Sequence, residues 1–161
     1  QPTERFRGKG DFMKIRVLLV DDEAEFTEQL AERLRLRDYD VSTCLSGEAA
    51  IEKLKSYNFD VVILDVAMPG IDGTEALRQI KDMKPLTEVI MLTGHATVES
   101  AIEGMKLGAF DYLMKPCETE ELLKKINSAQ ERKSAQEERI RMAKAEKYIT
   151  SPRSALKNND T

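Results

Sequence analysis

The sequence predicts an α/β protein with a five-stranded parallel sheet and helices on both faces. Three observations carry this. Short apolar runs alternate with amphipathic stretches five times along the chain. The central run, Val61 to Leu64, has no polar side chain and is β-branched at three of four places, which suits a strand buried on both faces. Every crossover is about twenty-five residues or fewer, a length that holds one helix and imposes parallel strands with right-handed connections.

The elements follow in order. Ile15 to Val20 reads as the first strand and ends in Asp21-Asp22-Glu23. A helix follows with Phe26, Leu30 and Leu34 on one face and charge on the other. Val41 to Leu45 is a weaker second strand, assigned mainly by its place in the alternation. Ser46 is positioned to cap a helix over Glu48 to Lys55, with Ala50, Ile51 and Leu54 inward. The third strand breaks off at Asp65, and Met68-Pro69-Gly70 forces a turn. Asp72-Gly73-Thr74 leads into a helix with Ala76, Leu77 and Ile80 inward, stopped near Pro85. Val89 to Leu92 is the fourth strand and ends at Thr93-Gly94-His95. Thr97 starts a helix with Ala101, Ile102 and Met105 at helical spacing, and Gly108 ends it. Phe110 to Met114 is the fifth strand and runs into Lys115-Pro116. The last helix begins near Glu118-Thr119-Glu120, whose acidic residues suit its dipole, with Leu122, Leu123 and Ile126 inward.

The bulk composition narrows the function. The chain has 161 residues and a net charge of −4, with no basic block in its globular part, so direct nucleic-acid binding is not expected. No run of about 18 apolar residues is present, and no membrane span or signal peptide is expected. Cys44 and Cys117 lie far apart without a metal-binding spacing, which fits reduced thiols in the cytoplasm. Residues 1–12 are polar and aperiodic and read as a disordered arm or an expression remnant. The globular domain is expected over 13–128. Over 129–161 the expectation is a charged, solvated helical extension, broken at Ser151-Pro152-Arg153 and followed by a disordered tail.

Four strands end in groups able to do chemistry: Asp21-Asp22, Asp65, Thr93 and Lys115. In parallel sheets of this kind a ligand site lies outside the carboxyl ends of the strands, where strand order reverses. An order 2-1-3-4-5 puts strands 1 and 3 side by side, so that Asp21, Asp22 and Asp65 converge. Two charges about 4 Å apart repel by roughly 4 kcal/mol at an effective dielectric near 20. Such a cluster calls for a hard cation such as Mg²⁺ or a captured proton. Lys115 suits a phosphoryl oxygen, Thr93 offers a hydroxyl, and Asp65 a nucleophile; together these are the parts of aspartyl-phosphate chemistry. Taken singly, Asp22 or Thr93 reads as a cap and Lys115 as a surface cation. The recurrence of all four at strand ends favours a site.

These residues resemble the response-regulator receiver family of bacterial two-component systems, a flavodoxin-like fold. The resemblance rests on Val-Asp21-Asp22-Glu, Leu-Asp65-Val-Ala-Met-Pro-Gly-Ile-Asp-Gly, Thr93-Gly-His-Ala and Tyr112-Leu-Met-Lys115-Pro116, and covers residues 14–128. It implies the order 2-1-3-4-5 and a phosphoacceptor at Asp65, charged by a sensor histidine kinase or a phosphotransfer protein. It implies Mg²⁺ held by Asp22, Asp65 and the backbone carbonyl of Ala67, with Asp21 acting through water. Thr93 and Tyr112 are the implied switch pair, and the Lys115–Pro116 bond is implied to be cis. The readout surface would span Ala101 to Lys106 and Glu118 to Lys125, for a downstream protein effector or a phosphorylation-dependent homodimer. Such a protein is a switch and not an enzyme, beyond catalysing its own phosphorylation and dephosphorylation. Ala67 departs from the Asn often found there, which bears on the lifetime of the phosphoryl group. The Thr93-Gly-His-Ala-Thr run is similar to receivers of the nitrogen-regulator type. His95 reads as a surface or packing residue rather than a phosphoryl carrier. The polar tail favours a stand-alone receiver over one cut before an effector. Two other classes fit the residues less well: a phosphohydrolase, which lacks its second Asp because Ala67 stands there, and a pseudo-receiver, which the intact set argues against.

Overall fold

The computed structural model describes residues 14–68, 70–95 and 97–159, with side chains described to residue 147. The arm over 1–12, Met13 and Pro69 of the expected turn lie outside the described residues. The strands are β1 (Arg16–Val20), β2 (Asp40–Cys44), β3 (Val61–Leu64), β4 (Glu88–Thr93) and β5 (Asp111–Met114). Between and after them run α1 (Ala24–Arg35), α2 (Gly47–Ser56), α3 (Gly73–Met83), α4 (Val98–Lys106) and α5 (Thr119–Asn159). All pairings are parallel and the order is β2-β1-β3-β4-β5. The expected fold class and strand order hold.

The apolar runs lack an exposed face because the sheet is covered twice. Leu18, Val62, Leu64, Val89 and Met91 point to one side, against Leu54 of α2 and Leu77 and Ile80 of α3. Val17, Leu19, Ile63, Ile90 and Leu92 point to the other, against Leu30 and Leu34 of α1 and Leu122 and Ile126 of α5. That is the period-two alternation of a strand, with both phases apolar.

Helix starts are fixed by side chains. Ser46 Oγ accepts from the Ala49 amide at 3.1 Å. An Asp72 carboxylate oxygen accepts from Glu75 N at 2.9 Å. Thr97 and Ser100 form a reciprocal capping box on α4. Gly108, at φ 104°, takes the left-handed turn that ends α4.

Two expectations need correction. Residues after 128 are not simply solvated: Ala129 is fully buried, and Lys133 Nζ pairs with Asp60 at 3.2 Å. Arg132 Nε likewise reaches the buried Glu88 at 2.8 Å. The reason is electrostatic. Asp60 and Glu88 sit buried at the amino ends of β3 and β4, and α5 brings the cations that pair with them. Secondly, α5 runs to Asn159 through Ser151-Pro152-Arg153, the expected break. Proline removes one backbone donor from a helix and disfavours its interior without forbidding it.

Among the described residues, no helix is long and apolar enough to cross a membrane. The apolar residues of α4 lie largely outward: Val98, Ile102 and Met105 are exposed, as is Met114 on β5.

Candidate functional site

The site follows from register. Val20 of β1 lies opposite Leu64 of β3, so both strands leave the sheet at one level. The Asp65 amide donates to Val20 O at 2.9 Å, and the Asp21 amide donates to Cys44 O at 3.1 Å. The hydrogen-bond ladder thus holds the first residue beyond each strand. One carboxylate oxygen from each of Asp21, Asp22 and Asp65 lies within 4.8 Å of the others. Asp21 and Asp65 are buried and Asp22 is exposed.

The loop after Asp65 turns back under the site. The Ala67 amide donates to Asp65 Oδ1 at 3.4 Å, and the Gly73 amide donates to Val66 O at 2.8 Å. A Cβ on Gly73 would overlap Asp65 O and the Val66 Cα, so only glycine lets α3 start this close. Gly70, at φ 79°, makes the intervening turn.

Lys115 enters from the end of β5. Its amide donates to Thr93 O at 2.8 Å, and its bond to Pro116 is cis. The ammonium donates to Asp21 Oδ2 at 2.6 Å and to Glu23 Oε1 at 2.9 Å. It also lies 4.1 Å from the centroid of the Phe26 ring. Among the described residues, these two carboxylates are its ion-pair partners; Asp65 acts on it only through space.

The charges perturb one another. Burial raises the Asp21 carboxyl above its ordinary value, hydrogen bonds from Lys115 and the Glu23 amide oppose this, and the charge of Asp65 adds to it. Burial alone would lower the Lys115 ammonium, but its bonds to Asp21 and Glu23 outweigh it, so it stands above its ordinary value. The Lys115 bond and charge lower Glu23. Among the described residues, three clustered carboxylates, with Glu23 beside them, face the one ammonium of Lys115. The oxygen-only donor set and this negative excess fit a hard cation such as Mg²⁺.

Thr93 is fully buried, and its hydroxyl accepts from the His95 amide at 3.1 Å. His95 itself is exposed. Tyr112 is half-buried; its ring packs toward Gly104 of α4 and its hydroxyl shares a 2.7 Å hydrogen bond with Ser100.

The structure therefore brings Asp21, Asp22, Asp65 and Lys115 together, with Ala67 at the rim and Thr93 on the next strand. Tyr112 faces α4. Sequence reasoning missed Glu23, Phe26, Gly73 and Ser100 as parts of this region. Glu23 left a signal as the third acid of Asp21-Asp22-Glu23, and Gly73 as the last residue of the motif that begins at Leu64; Phe26 and Ser100 left none.

A family model described as the response regulator receiver domain matches residues 17–127. The regulatory protein AtoC of Escherichia coli K12 is 36% identical over 107 residues, which is 66% of this chain and 23% of that protein. The chain thus spans about a quarter of that relative's length. Among solved structures, a CheY-like receiver domain protein from Methanospirillum hungatei superimposes with a TM-score of 0.74 at 27% identity, covering 76% of this chain and 98% of that one. A response regulator from Burkholderia pseudomallei, solved with a phosphorylated aspartic acid, calcium and citrate, gives 0.68 at 26% identity, covering 77% and 73%.

Proposed function

The chain belongs to the response regulator receiver domain family of two-component signalling, and from that premise we propose that it is a phosphorylation switch with its acceptor at Asp65. One observation carries this reading: three carboxylates converge at the adjacent ends of β1 and β3, beside an ammonium from β5. The phosphodonor is a sensor histidine kinase or a phosphotransfer protein carrying a phosphoramidate. An Asp65 carboxylate oxygen forms the new P–O bond as the P–N bond breaks. The leaving nitrogen keeps the electron pair and takes up a proton.

Asp21, Asp22, Asp65 and the Ala67 carbonyl would hold Mg²⁺, with Asp21 acting through water. Bound there, Mg²⁺ supplies positive charge against the phosphoryl oxygens. The residues of the chain do the rest. Lys115 offers a point charge to one phosphoryl oxygen and Thr93 a hydroxyl donor. Thr93 is buried on the strand next to Asp65, so its approach to the group draws the β4–α4 loop with it. Tyr112 then leaves Ser100 and turns inward. The added charge of about −2 biases a two-state element whose readout is α4, β5 and the start of α5.

The exposed apolar residues Val98, Ile102, Met105 and Met114 support that readout surface, for a protein effector or a second phosphorylated copy. The protein is a switch in the cytoplasm and catalyses nothing beyond its own phosphorylation and dephosphorylation. The phosphohydrolase alternative lacks its acid: two residues beyond Asp65 stands Ala67, whose side chain is a methyl group with no proton to give.

The test is an amide NMR titration with Mg²⁺ and beryllofluoride, a mimic of a phosphoryl group on a carboxylate. The expected result is one slow-exchange transition in which Asp65, Thr93, Tyr112 and α4 shift together. Shifts confined to the loops after β1 and β3 would describe a metal site without a switch, and would overturn the proposal.

A further inference from the structure

We propose that Glu23 and Phe26 are positioning residues that berth Lys115 on the β1–α1 side and compete with a group on Asp65 for its ammonium. The inference rests on the reading of Asp65 as the acceptor.

An ammonium has three N–H donors. Two are committed, to Asp21 Oδ2 at 2.6 Å and Glu23 Oε1 at 2.9 Å. The Phe26 ring lies 4.1 Å from the same nitrogen, within reach of a cation–π attraction. All three partners follow β1 or open α1, and none comes from the β3 side, where Asp65 stands. Glu23 caps the start of α1 and Phe26 lies in its first turn, and both side chains reach the same ammonium.

A second observation sets Glu23 apart. It occupies the N-cap position of α1, yet its side chain makes no cap hydrogen bond. Elsewhere at such positions the cap side chain turns back onto the helix, as Ser46, Asp72 and Thr97 do here. The Glu23 carboxylate reaches across to Lys115 instead. Its backbone is fixed independently: the amide donates to Asp21 Oδ1 at 3.0 Å, and the carbonyl accepts from the Thr27 hydroxyl at 2.8 Å. The carboxylate is free to release Lys115 without unravelling the helix start.

The competition has a direction. A phosphoryl group carries about two negative charges and binds an ammonium better than a screened, exposed carboxylate does. Of the two acidic partners, Glu23 is the exposed one, with a side chain 65% accessible against 7% for Asp21. Glu23 is therefore the partner given up when Asp65 is loaded. The berth holds Lys115 in reserve and lowers the affinity of the loaded state.

The test measures beryllofluoride affinity in saturating Mg²⁺ for wild type, Glu23→Gln, Glu23→Asp and Phe26→Leu. The 13Cε resonance of Lys115 is recorded in the same proteins without metal. Glu23→Asp keeps the charge and loses the reach, which separates contact from long-range electrostatics. The expected result is a gain of about twofold to fivefold for Glu23→Gln, the span of an exposed ion pair. Glu23→Asp and Phe26→Leu should gain in the same direction, and the Lys115 resonance should move in all three. A gain in Glu23→Gln alone would reduce the effect to charge and overturn the berth. A loss in Glu23→Gln would make Glu23 an organiser of Lys115 and overturn the competition. If wild type takes no beryllofluoride, the Asp65 reading fails, and the berth stands or falls on whether the Lys115 resonance moves in the variants.

Discussion

Replacing Gly73 with alanine is expected to destabilise the protein and to spoil the acidic site in one step. The new Cβ would overlap the Asp65 carbonyl oxygen and the Val66 Cα, with the Asp65 carbonyl carbon at 3.0 Å. These are backbone atoms, so no side-chain rotation relieves the clash. The Gly73 amide is also bonded to Val66 O at 2.8 Å, which resists the separation that a methyl group demands. Overpacking of this sort costs typically about 1–3 kcal/mol, and a backbone neighbour puts this case at the upper end. The displaced backbone is the one that carries Asp65, so Mg²⁺ affinity should fall by about tenfold or more, as when supporting groups of a metal site are lost. Gly94 is the control. A Cβ there meets nothing within 4 Å, and Gly94→Ala should leave stability within about 0.5 kcal/mol of wild type. Urea unfolding and a Mg²⁺ titration of both variants check this. Equal behaviour of the two would contradict the account of the loop.

The second large effect has opposite signs for stability and for function. Asp65→Asn removes one of three carboxylates whose oxygens lie within 4.8 Å of one another. At an effective dielectric of about 20, two charges about 5 Å apart repel by roughly 3 kcal/mol, and screening reduces the net gain to about 1–2 kcal/mol. The metal-free variant should therefore be more stable than wild type. It should bind Mg²⁺ more weakly by at least about tenfold, since it loses a charged ligand. The repulsion that costs stability without metal is the same one that would favour a cation at the cluster. A variant that is less stable without metal would show instead that Asp65 is a structural carboxylate.

The residues that made the fold legible are those whose environment is local or periodic. Val61 to Leu64 suited a strand buried on both faces, and Ser46 a cap, because neighbouring residues weigh most in both. The site was legible for a related reason. Parallel topology carries every strand end to one edge, so Asp21, Asp65, Thr93 and Lys115 meet whatever the loops do. What escaped the sequence depends on distant partners. Glu88 opens β4 as a buried acid, which a strand tolerates only because Arg132 and Lys81 reach it from α5 and α3. Arg132 and Lys133 in turn looked like solvent-facing residues of a polar helix. The apolar spacing of Val98, Ile102 and Met105 marks a stripe on α4 but not whether the fold covers it. Glu23 stood in plain view beside two other acids. Its role appears only once β5 delivers Lys115 to it.

The measurement that bears most directly on the central claim is intact mass after incubation with a small phosphodonor, with and without Mg²⁺, beside Asp65→Asn. The expected result is a single phosphoryl adduct that requires Mg²⁺ and is absent from the variant. No adduct under any condition, or an adduct that persists in Asp65→Asn, would contradict it.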